Sequence, residues 1–273
     1  NHRAMGKSIK SRDPKAIVHY ENSHLEFKAV PEGEDFKDIS DVESRMYAAL
    51  DYTKNYLENS PAKPFYFCEY VCSYSTGNIF AHCRLADKYD SFFGLCIWEM
   101  LDHAIEVKNG DKIGYRYGGD FGDFPNDADC CIDGLVFADR SLRPGYYDMK
   151  RAYQPFKVTY ENGKITVFNK RYFTSLDDLQ LNWSLVCDGK EIKNGKVEAL
   201  DISPRSEAVF TLLENEEFFG NCLLNITFTT KNDAVWAKKG YEIGFEQIEL
   251  NSVVKENNFT DCGLETEETR RYL

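Results

Sequence analysis

The sequence predicts two kinds of fold in one chain: α/β in its first part and all-β in the remainder. Up to about residue 150, single apolar segments alternate with longer, partly helical segments, which is typical of parallel βα units. From about residue 153, short strands are joined by tight turns. About seven such strands over roughly 100 residues indicate an antiparallel sandwich of immunoglobulin type.

In the α/β part, residues 1–10 have the pattern of an amphipathic helix that ends near Asp13-Pro14. Because neither a strand nor a cap precedes this helix, we expect the chain to be a piece of a longer protein. The predicted strands are 17–20, 41–47, 64–70 and 93–98, and the predicted helices are 48–58 and 80–89.

In the all-β part, Asn162-Gly163 is the strongest hairpin signal, and turns are also expected at Asp188-Gly189 and Asn194-Gly195. The predicted strands are 156–160, 164–168, 179–186, 208–213, 223–229 and 241–250. We therefore predict domains at 1–152 and 153–252, with the acidic segment 253–273 as a linker or the start of a further domain.

Composition excludes several classes of function. Lys plus Arg is 33 and Asp plus Glu is 45, so the net charge of −12 gives no general affinity for nucleic acid or anionic membranes. No apolar run approaches the roughly 20 residues that span a bilayer. The nine cysteines lack a framework spacing, which predicts reduced thiols and a cytoplasmic location.

One carboxylate, Glu69, stands in the apolar run Phe-Tyr-Phe-Cys-Glu-Tyr-Val at 65–71. A charge in a buried strand is costly unless it is paired or functional. This one lies where a parallel strand would end, which is where barrel enzymes keep their catalytic groups. The alternative is an edge-strand glutamate that faces water.

A second unusual stretch is the block Tyr-Gly-Gly-Asp-Phe-Gly-Asp-Phe-Pro-Asn-Asp at 117–127, which is rich in turn-forming residues. It is either a plain surface loop or an active-site loop at the carboxyl end of a barrel strand. Residues 133–140, Asp-Gly-Leu-Val-Phe-Ala-Asp-Arg, follow it as another strand and turn.

Together, the motifs at 68–70, 97–99, 117–127 and 133–140 resemble, in order and spacing, the large bacterial β-galactosidases of glycoside hydrolase family 2. The resemblance extends to about residue 250. In that family a (β/α)8 TIM barrel precedes an immunoglobulin-like domain and a further β-sandwich. The resemblance therefore implies a partial barrel, its second half, followed by a complete immunoglobulin-like β-sandwich.

The resemblance also implies roles for individual residues. Retaining glycosidases use two carboxyl groups about 5–5.5 Å apart, and Glu69 matches the family's nucleophile. Tyr47 matches the tyrosine that hydrogen-bonds to it. Trp98 matches an apolar platform for the sugar, Asn126 a substrate-binding position, and Phe137 a backbone carbonyl that binds sodium.

The family's acid/base glutamate and magnesium ligands are expected before residue 1. Two other places in this sequence depart from the family pattern. Cys72 stands where a substrate-binding histidine is expected. Residues 98–103 read Trp-Glu-Met-Leu-Asp-His, where the family generally has Trp-Asp-Trp-Val-Asp-Gln. We expect no cofactor in this segment alone, and Mg and Na in the full-length protein.

Three functions remain open on the sequence. The chain is part of a retaining β-galactosidase acting on a lactose-like β-galactoside and inactive alone, a non-catalytic carbohydrate-binding or structural module, or part of a family 2 hydrolase of another β-glycoside. Because half a barrel leaves strand edges open, we also expect a homo-oligomer.

Overall fold

The computed structural model describes residues 2–21, 40–59, 61–72, 77–213 and 218–250, and the chain divides into two units after Tyr153. None of the described helices is long and apolar enough to cross a membrane. The elements of the first unit are α1 (His2–Arg12), β1 (Glu43–Met46), α2 (Leu50–Glu58), β2 (Phe65–Cys72), α3 (Ile79–Lys88), β3 (Phe92–Trp98), β4 (Ile105–Asn109), β5 (Lys112–Arg116), a 3₁₀ turn (Gly118–Phe121) and α4 (Pro144–Ala152).

The centre of the first unit is a parallel sheet in the order β1-β2-β3. Helix α2 connects β1 to β2 and helix α3 connects β2 to β3, so these are two consecutive βαβ crossovers. The predicted parallel βα units are therefore confirmed, and the described residues form no closed barrel. The β4–β5 hairpin and α4 were not predicted from the sequence.

Aromatic side chains fill the space between this sheet and its helices. Phe65, Phe67 and Tyr70 are fully buried, together with Ile79 of α3. The rings of Phe65 and Phe67 meet edge to face at 5.1 Å, a favourable arrangement for aromatic pairs. This packing holds β2 rigidly at the centre of the sheet.

The predicted strand at 17–20 is wrong. Val18 donates its N–H to Asp41 Oδ2 at 2.7 Å and accepts the N–H of Asp41 at 2.8 Å. A carboxylate thus takes the hydrogen bond that a neighbouring strand would have needed, and residues 16–20 have no regular structure.

Beyond β3, a further strip of chain, residues 133–136, pairs with the segment that follows the strand. Residues 99–102 run alongside this strip, with Leu101 and Val136 in a parallel bridge. Leu135 N–H donates to the carbonyl of Glu99 at 2.8 Å. The predicted strand at 133–140 is therefore reduced to bridges at Val136, followed by the expected turn.

The second unit is an antiparallel two-sheet sandwich, with sheets in the order β10-β7-β6 and β12-β11-β8-β9. Both sheets contribute to one core, in which Phe156 of one sheet stacks on Phe228 of the other at 3.7 Å. The predicted β-sandwich is confirmed. Its strands are β6 (Phe156–Glu161), β7 (Lys164–Asn169), β8 (Leu179–Cys187), β9 (Lys190–Val197), β10 (Glu207–Thr211), β11 (Cys222–Thr230) and β12 (Glu242–Leu250).

Two of the three predicted turns of the sandwich are confirmed. Asn162-Gly163 and Asp188-Gly189 both have positive φ at both residues, as primed hairpin turns require. The turn predicted at Asn194-Gly195 is wrong, because both residues lie inside β9. Gly195 is needed there for space, since a Cβ atom would come within 2.8 Å of the Trp183 ring.

The prediction of reduced thiols is wrong for one pair. Cys187 and Cys222 form a disulfide between the neighbouring strands β8 and β11. The partners are 35 residues apart in sequence, so their pairing depends on strand order, which cysteine spacing does not show. The described cysteines with free thiols are Cys68, Cys83, Cys96, Cys130 and Cys131. The predicted segment 253–273 lies outside the described residues.

Candidate active site

The carboxyl ends of β1, β2 and β3 meet along one edge of the sheet, because the three strands are parallel. Met46 is in register with Glu69, and Tyr70 is in register with Ile97. Tyr47, which follows β1, Glu69 in the last half of β2 and Trp98 at the end of β3 therefore share this edge. In barrel enzymes the same edge carries the active site.

Tyr47 and Glu69 are in direct contact. The Tyr47 hydroxyl donates a hydrogen bond to Glu69 Oε2 at 3.2 Å, and the Tyr47 N–H donates to the Glu69 carbonyl at 3.0 Å. Tyr47 is 46% exposed and Glu69 is half-buried. The pair therefore presents a carboxylate oriented by a phenol at a solvent-accessible strand end, which suits a nucleophile or a general base.

A pair of tyrosines, the buried Tyr70 and the partly exposed Tyr153, supports β2 immediately after Glu69. The hydroxyls of Tyr70 and Tyr153 are 2.7 Å apart. Burial raises the pKa of Tyr70 far above its usual range and raises the pKa of Tyr153 to about 12. Both phenols stay neutral at physiological pH, so their role is to hold the strand end in place.

Trp98 is partly buried, and its indole is held by a specific partner. Its Nε1–H donates to Asp133 Oδ2 at 3.0 Å. This bond fixes the ring orientation at the end of β3. A partly exposed, oriented indole suits the sugar platform that the sequence predicts, and that role stays a prediction.

The block at 117–127 is an exposed loop that begins with the 3₁₀ turn. Asn126 is exposed and its side chain bonds within the loop: Nδ2 donates to the Asp123 carbonyl at 3.0 Å and Oδ1 accepts the Ala128 N–H at 3.1 Å. Its amide therefore shapes the loop, and its contact with substrate stays a prediction.

Phe137 lies in the turn after Val136, and its ring is exposed on one side. Its carbonyl accepts the Arg140 N–H at 2.9 Å, and the Arg143 guanidinium lies 3.9 Å from its ring centroid. Arg143 also forms a two-point ion pair with Asp102, with N–O distances of 2.6 and 2.9 Å. This buried clamp fixes the turn that carries Phe137.

A cluster of titratable groups that was not predicted lies beside Trp98. Glu99, His103 and Asp133 each bring one ligand atom to within 4.8 Å of the other two. Burial raises the pKa of Glu99, and the Asp133 carboxyl raises it further, while contact with His103 lowers it. Asp133 is 30 or more residues from the other two in sequence. Only the pairing of residues 99–102 with residues 133–136 could therefore have revealed the cluster.

Comparison with known families identifies the class of protein that this fold and edge define. Residues 1–158 match the TIM barrel domain of glycosyl hydrolases family 2, and residues 165–251 match domain 4 of β-galactosidase. The chain therefore belongs to glycosyl hydrolase family 2, and the resemblance seen in the sequence is confirmed.

The chain is also similar to curated proteins named β-galactosidase. It is 34% identical to that of Halalkalibacterium halodurans and 33% identical to that of Priestia megaterium, covering 93% and 92% of this chain. For Clostridium acetobutylicum the identity is 34% over 93% of this chain. The matches cover 25%, 24% and 27% of these relatives, so the chain spans about a quarter of their length.

Proposed function

We propose that this chain carries the nucleophile of a retaining β-galactosidase. The observation that carries the proposal is the 3.2 Å hydrogen bond from Tyr47 to Glu69 at the carboxyl-end edge of a family 2 barrel sheet. A carboxylate held by one donor keeps a second oxygen available for attack. Tyr47 would then position the attacking group and stabilise it as the ester forms.

In the first step, a Glu69 carboxylate oxygen forms a bond to the anomeric carbon while the bond to the leaving-group oxygen breaks. The leaving group takes a proton from a second carboxyl group, about 5–5.5 Å from the first. In the second step, water gives its proton to that group and displaces Glu69, which leaves galactose with its original anomeric configuration. We propose that other parts of a longer protein supply the second carboxyl.

We propose a terminal β-galactoside such as lactose as substrate, because the relatives above are named β-galactosidase. Trp98 would supply the apolar platform and Asn126 a polar contact. Other β-glycosides are alternative substrates, since Cys72 and residues 98–103 depart from the family's usual motif. The Cys72 side chain and residues 73–76 lie outside what the structure describes.

We also propose a sodium site to which this chain contributes the Phe137 carbonyl. That oxygen accepts the Arg140 N–H, and a carbonyl oxygen has a second lone pair that fits a hard cation. Bound sodium would supply a positive charge near the sugar hydroxyls. Magnesium ligands are expected in other parts of a longer protein.

An immunoglobulin-like character of the sandwich, a homo-oligomeric state and a cytoplasmic location are further parts of this proposal. The first is supported by the seven strands in sheets of three and four. The Cys187–Cys222 disulfide weighs against the cytoplasmic location, since disulfides are rare in the cytosol.

A second candidate function is carbohydrate binding by the sandwich itself. A groove of about 520 Å³ lies along β8, β9 and β11, lined mainly by amide and hydroxyl side chains. Such groups suit sugar hydroxyls, and a binding module would retain this groove with or without catalysis. The lining side chains that could hydrogen-bond to a sugar include Asn182, Ser184, Asn194, Asn225 and Thr227.

The test is hydrolysis of a nitrophenyl β-galactoside by this chain mixed with the remaining segments of the proposed longer protein. We expect turnover in the mixture, its loss in Glu69→Gln, and normal turnover in the control Glu106→Gln on the exposed β4 strand. A 2-fluoro galactoside should label Glu69, as mass spectrometry of the peptide would show. Full turnover by Glu69→Gln would refute the proposal, and absence of turnover in associated segments would favour the binding module.

A further inference from the structure

Helix α3 carries a buried histidine that packs against the segment of β2 that contains Glu69. His82 is 7% exposed. Its ring meets the rings of Phe67 and Tyr70 edge to face, with the centroids 5.1 and 5.4 Å apart. Phe67 and Tyr70 stand on either side of Glu69 in β2. Because close-packed interiors transmit displacements, a shift of this imidazole would move the backbone that holds the carboxylate.

A hydrogen bond fixes the orientation of this ring. Nδ1 of His82 lies 3.0 Å from the carbonyl of Asn78, the residue before α3. A carbonyl oxygen only accepts, so Nδ1 carries the ring proton in this contact. Burial lowers the pKa of His82, and the carbonyls of Asn78 and Ala48 raise it in part, so Ala48 also lies close to the imidazole. The ring therefore reaches from β2 to the turn between β1 and α2.

The backbone on both sides of this ring has an unusual conformation. Tyr47 and Val71 have φ angles of 51° and 55°, in the left-handed region that bulky and β-branched residues rarely adopt. Such a conformation costs free energy and persists only where the surrounding structure fixes it. The chain neighbours of these two residues, Ala48 and Tyr70, are residues that the His82 imidazole approaches. His82 thus supports both strained positions.

We propose that His82 is a positioning residue for the nucleophile, an inference that rests on the function proposed above. The imidazole fixes the turn after β1 against β2, and so holds Tyr47 and Glu69 at hydrogen-bonding distance. It acts through packing and the backbone, while Tyr47 and Glu69 remain the groups that meet the substrate. Since Tyr47 is bonded to Glu69 through both its N–H and its hydroxyl, a movement of the turn would disturb both bonds together.

The first test observes Tyr47 in the 273-residue chain, without any catalysis. Tyrosine labelled with carbon-13 at Cζ gives an NMR signal that depends on the hydrogen bond of the hydroxyl, and Tyr47→Phe assigns the signal of Tyr47. In Glu69→Gln that signal should move, because the charged acceptor is lost. His82→Asn keeps a donor for the Asn78 carbonyl and removes the ring, so we expect a shift in the same direction. His82→Phe keeps a ring and should shift the signal less.

The second test measures labelling of Glu69 by the 2-fluoro galactoside in the mixture with the remaining segments. We expect His82→Asn to lower the labelling rate constant at saturating inhibitor by about 10- to 100-fold, with little change in the half-saturating concentration. His82→Phe should restore most of the rate. The matched control is Ile79→Val, which removes a buried carbon from the same helix. It should lower stability and leave the labelling rate constant unchanged.

The two tests separate this inference from the galactosidase proposal. Absence of labelling in the unmodified mixture would refute the galactosidase proposal, and the Tyr47 signal would still decide the positioning role. If His82→Asn does not fold, His82→Leu takes its place, since it also removes the ring. A Tyr47 signal that is unchanged in the folded variant, or a labelling rate constant that falls equally in Ile79→Val, would overturn the positioning role of His82.

Discussion

The buried ion pair between Asp102 and Arg143 gives a quantitative prediction about the strip that carries Asp133 and Phe137. Both side chains are nearly inaccessible, at 8% and 12% exposure. Asp102 Oδ1 also accepts the Gly134 N–H at 2.9 Å, and Arg143 contacts the Gly134 carbonyl. The pair therefore connects the segment after β3 to the strip alongside it.

Removing one partner leaves an uncompensated charge in a buried place, which costs about 3–5 kcal/mol. Arg143→Met also removes the cation–π contact with Phe137, which contributes about 0.5–2 kcal/mol. We expect Arg143→Met and Asp102→Asn each to lower the free energy of opening of this strip by about 3–5 kcal/mol. The double variant should cost less than the sum by about 2 kcal/mol, because the charges are removed together.

The assay is hydrogen exchange by mass spectrometry, with peptides that cover residues 133–143. The amides of Leu135 and Val136 donate to Glu99 and Met100, so their exchange reports opening of the strip. Peptides of the β6–β7 hairpin serve as an internal reference. A loss below 1 kcal/mol in Arg143→Met, or strictly additive losses in the double variant, would refute the reasoning.

Three other predictions concern packing, cross-linking and pH. Gly195→Ala should lower the free energy of unfolding by about 1–3 kcal/mol because the new methyl group meets the Trp183 ring; urea unfolding measures this. Reduction of Cys187–Cys222 should cost up to about 4 kcal/mol in the chain-entropy model, given a separation of 35 residues; urea unfolding with and without dithiothreitol measures this. Burial lowers the pKa of His82 below 6.5, so its contribution to stability is complete above pH 6.5 and is lost as the pH falls toward its folded pKa; urea midpoints from pH 7.5 to 5 should fall less steeply in His82→Gln.

Each of these predictions has a matched control. Gly114→Ala adds a methyl group to a strand where the nearest atom is 4.0 Å away, and equal losses at both glycines would contradict the packing argument. Cys130→Ser changes an exposed free thiol, and a similar dithiothreitol effect is expected in it. His2→Gln should keep the original pH profile; an unchanged profile in His82→Gln would show that another group causes the pH dependence.

The alternation of strands and helices was predictable because it depends on local patterns. The apolar run at 65–71 and the turns at Asn162-Gly163 and Asp188-Gly189 each carry their own signal. The disulfide and the cluster at Asp133 were not predictable, since their members come from segments that meet only through strand pairing. The strand predicted at 17–20 does not form because the Asp41 carboxylate accepts the Val18 N–H, which a neighbouring strand would otherwise have bonded.

The contact between Tyr47 and Glu69 could be foreseen only through the family resemblance. The sequence pattern of neither strand indicates that residue 47 lies beside residue 69. The parallel register of β1 and β2 brings the two residues together. The roles of Trp98, Asn126 and Phe137 were inferred in the same way. The structure gives each of these residues a protein partner, and their roles toward substrate or ions stay predictions.

The register of β1 and β2 has a consequence for how the chain tolerates change. Arg45 is in register with Phe67, but Met46 is in register with Glu69, so Cys68 is an extra residue in β2. Phe65 and Phe67 are fully buried, and strict alternation would place residue 69 in the same aromatic layer; instead Tyr70 takes that place. Cys68 thus switches the parity of the strand and keeps the carboxylate out of an apolar interior. A one-residue deletion here would preserve every predicted element and still turn Glu69 toward the wrong face, so the length of this strand constrains the site as strongly as its composition.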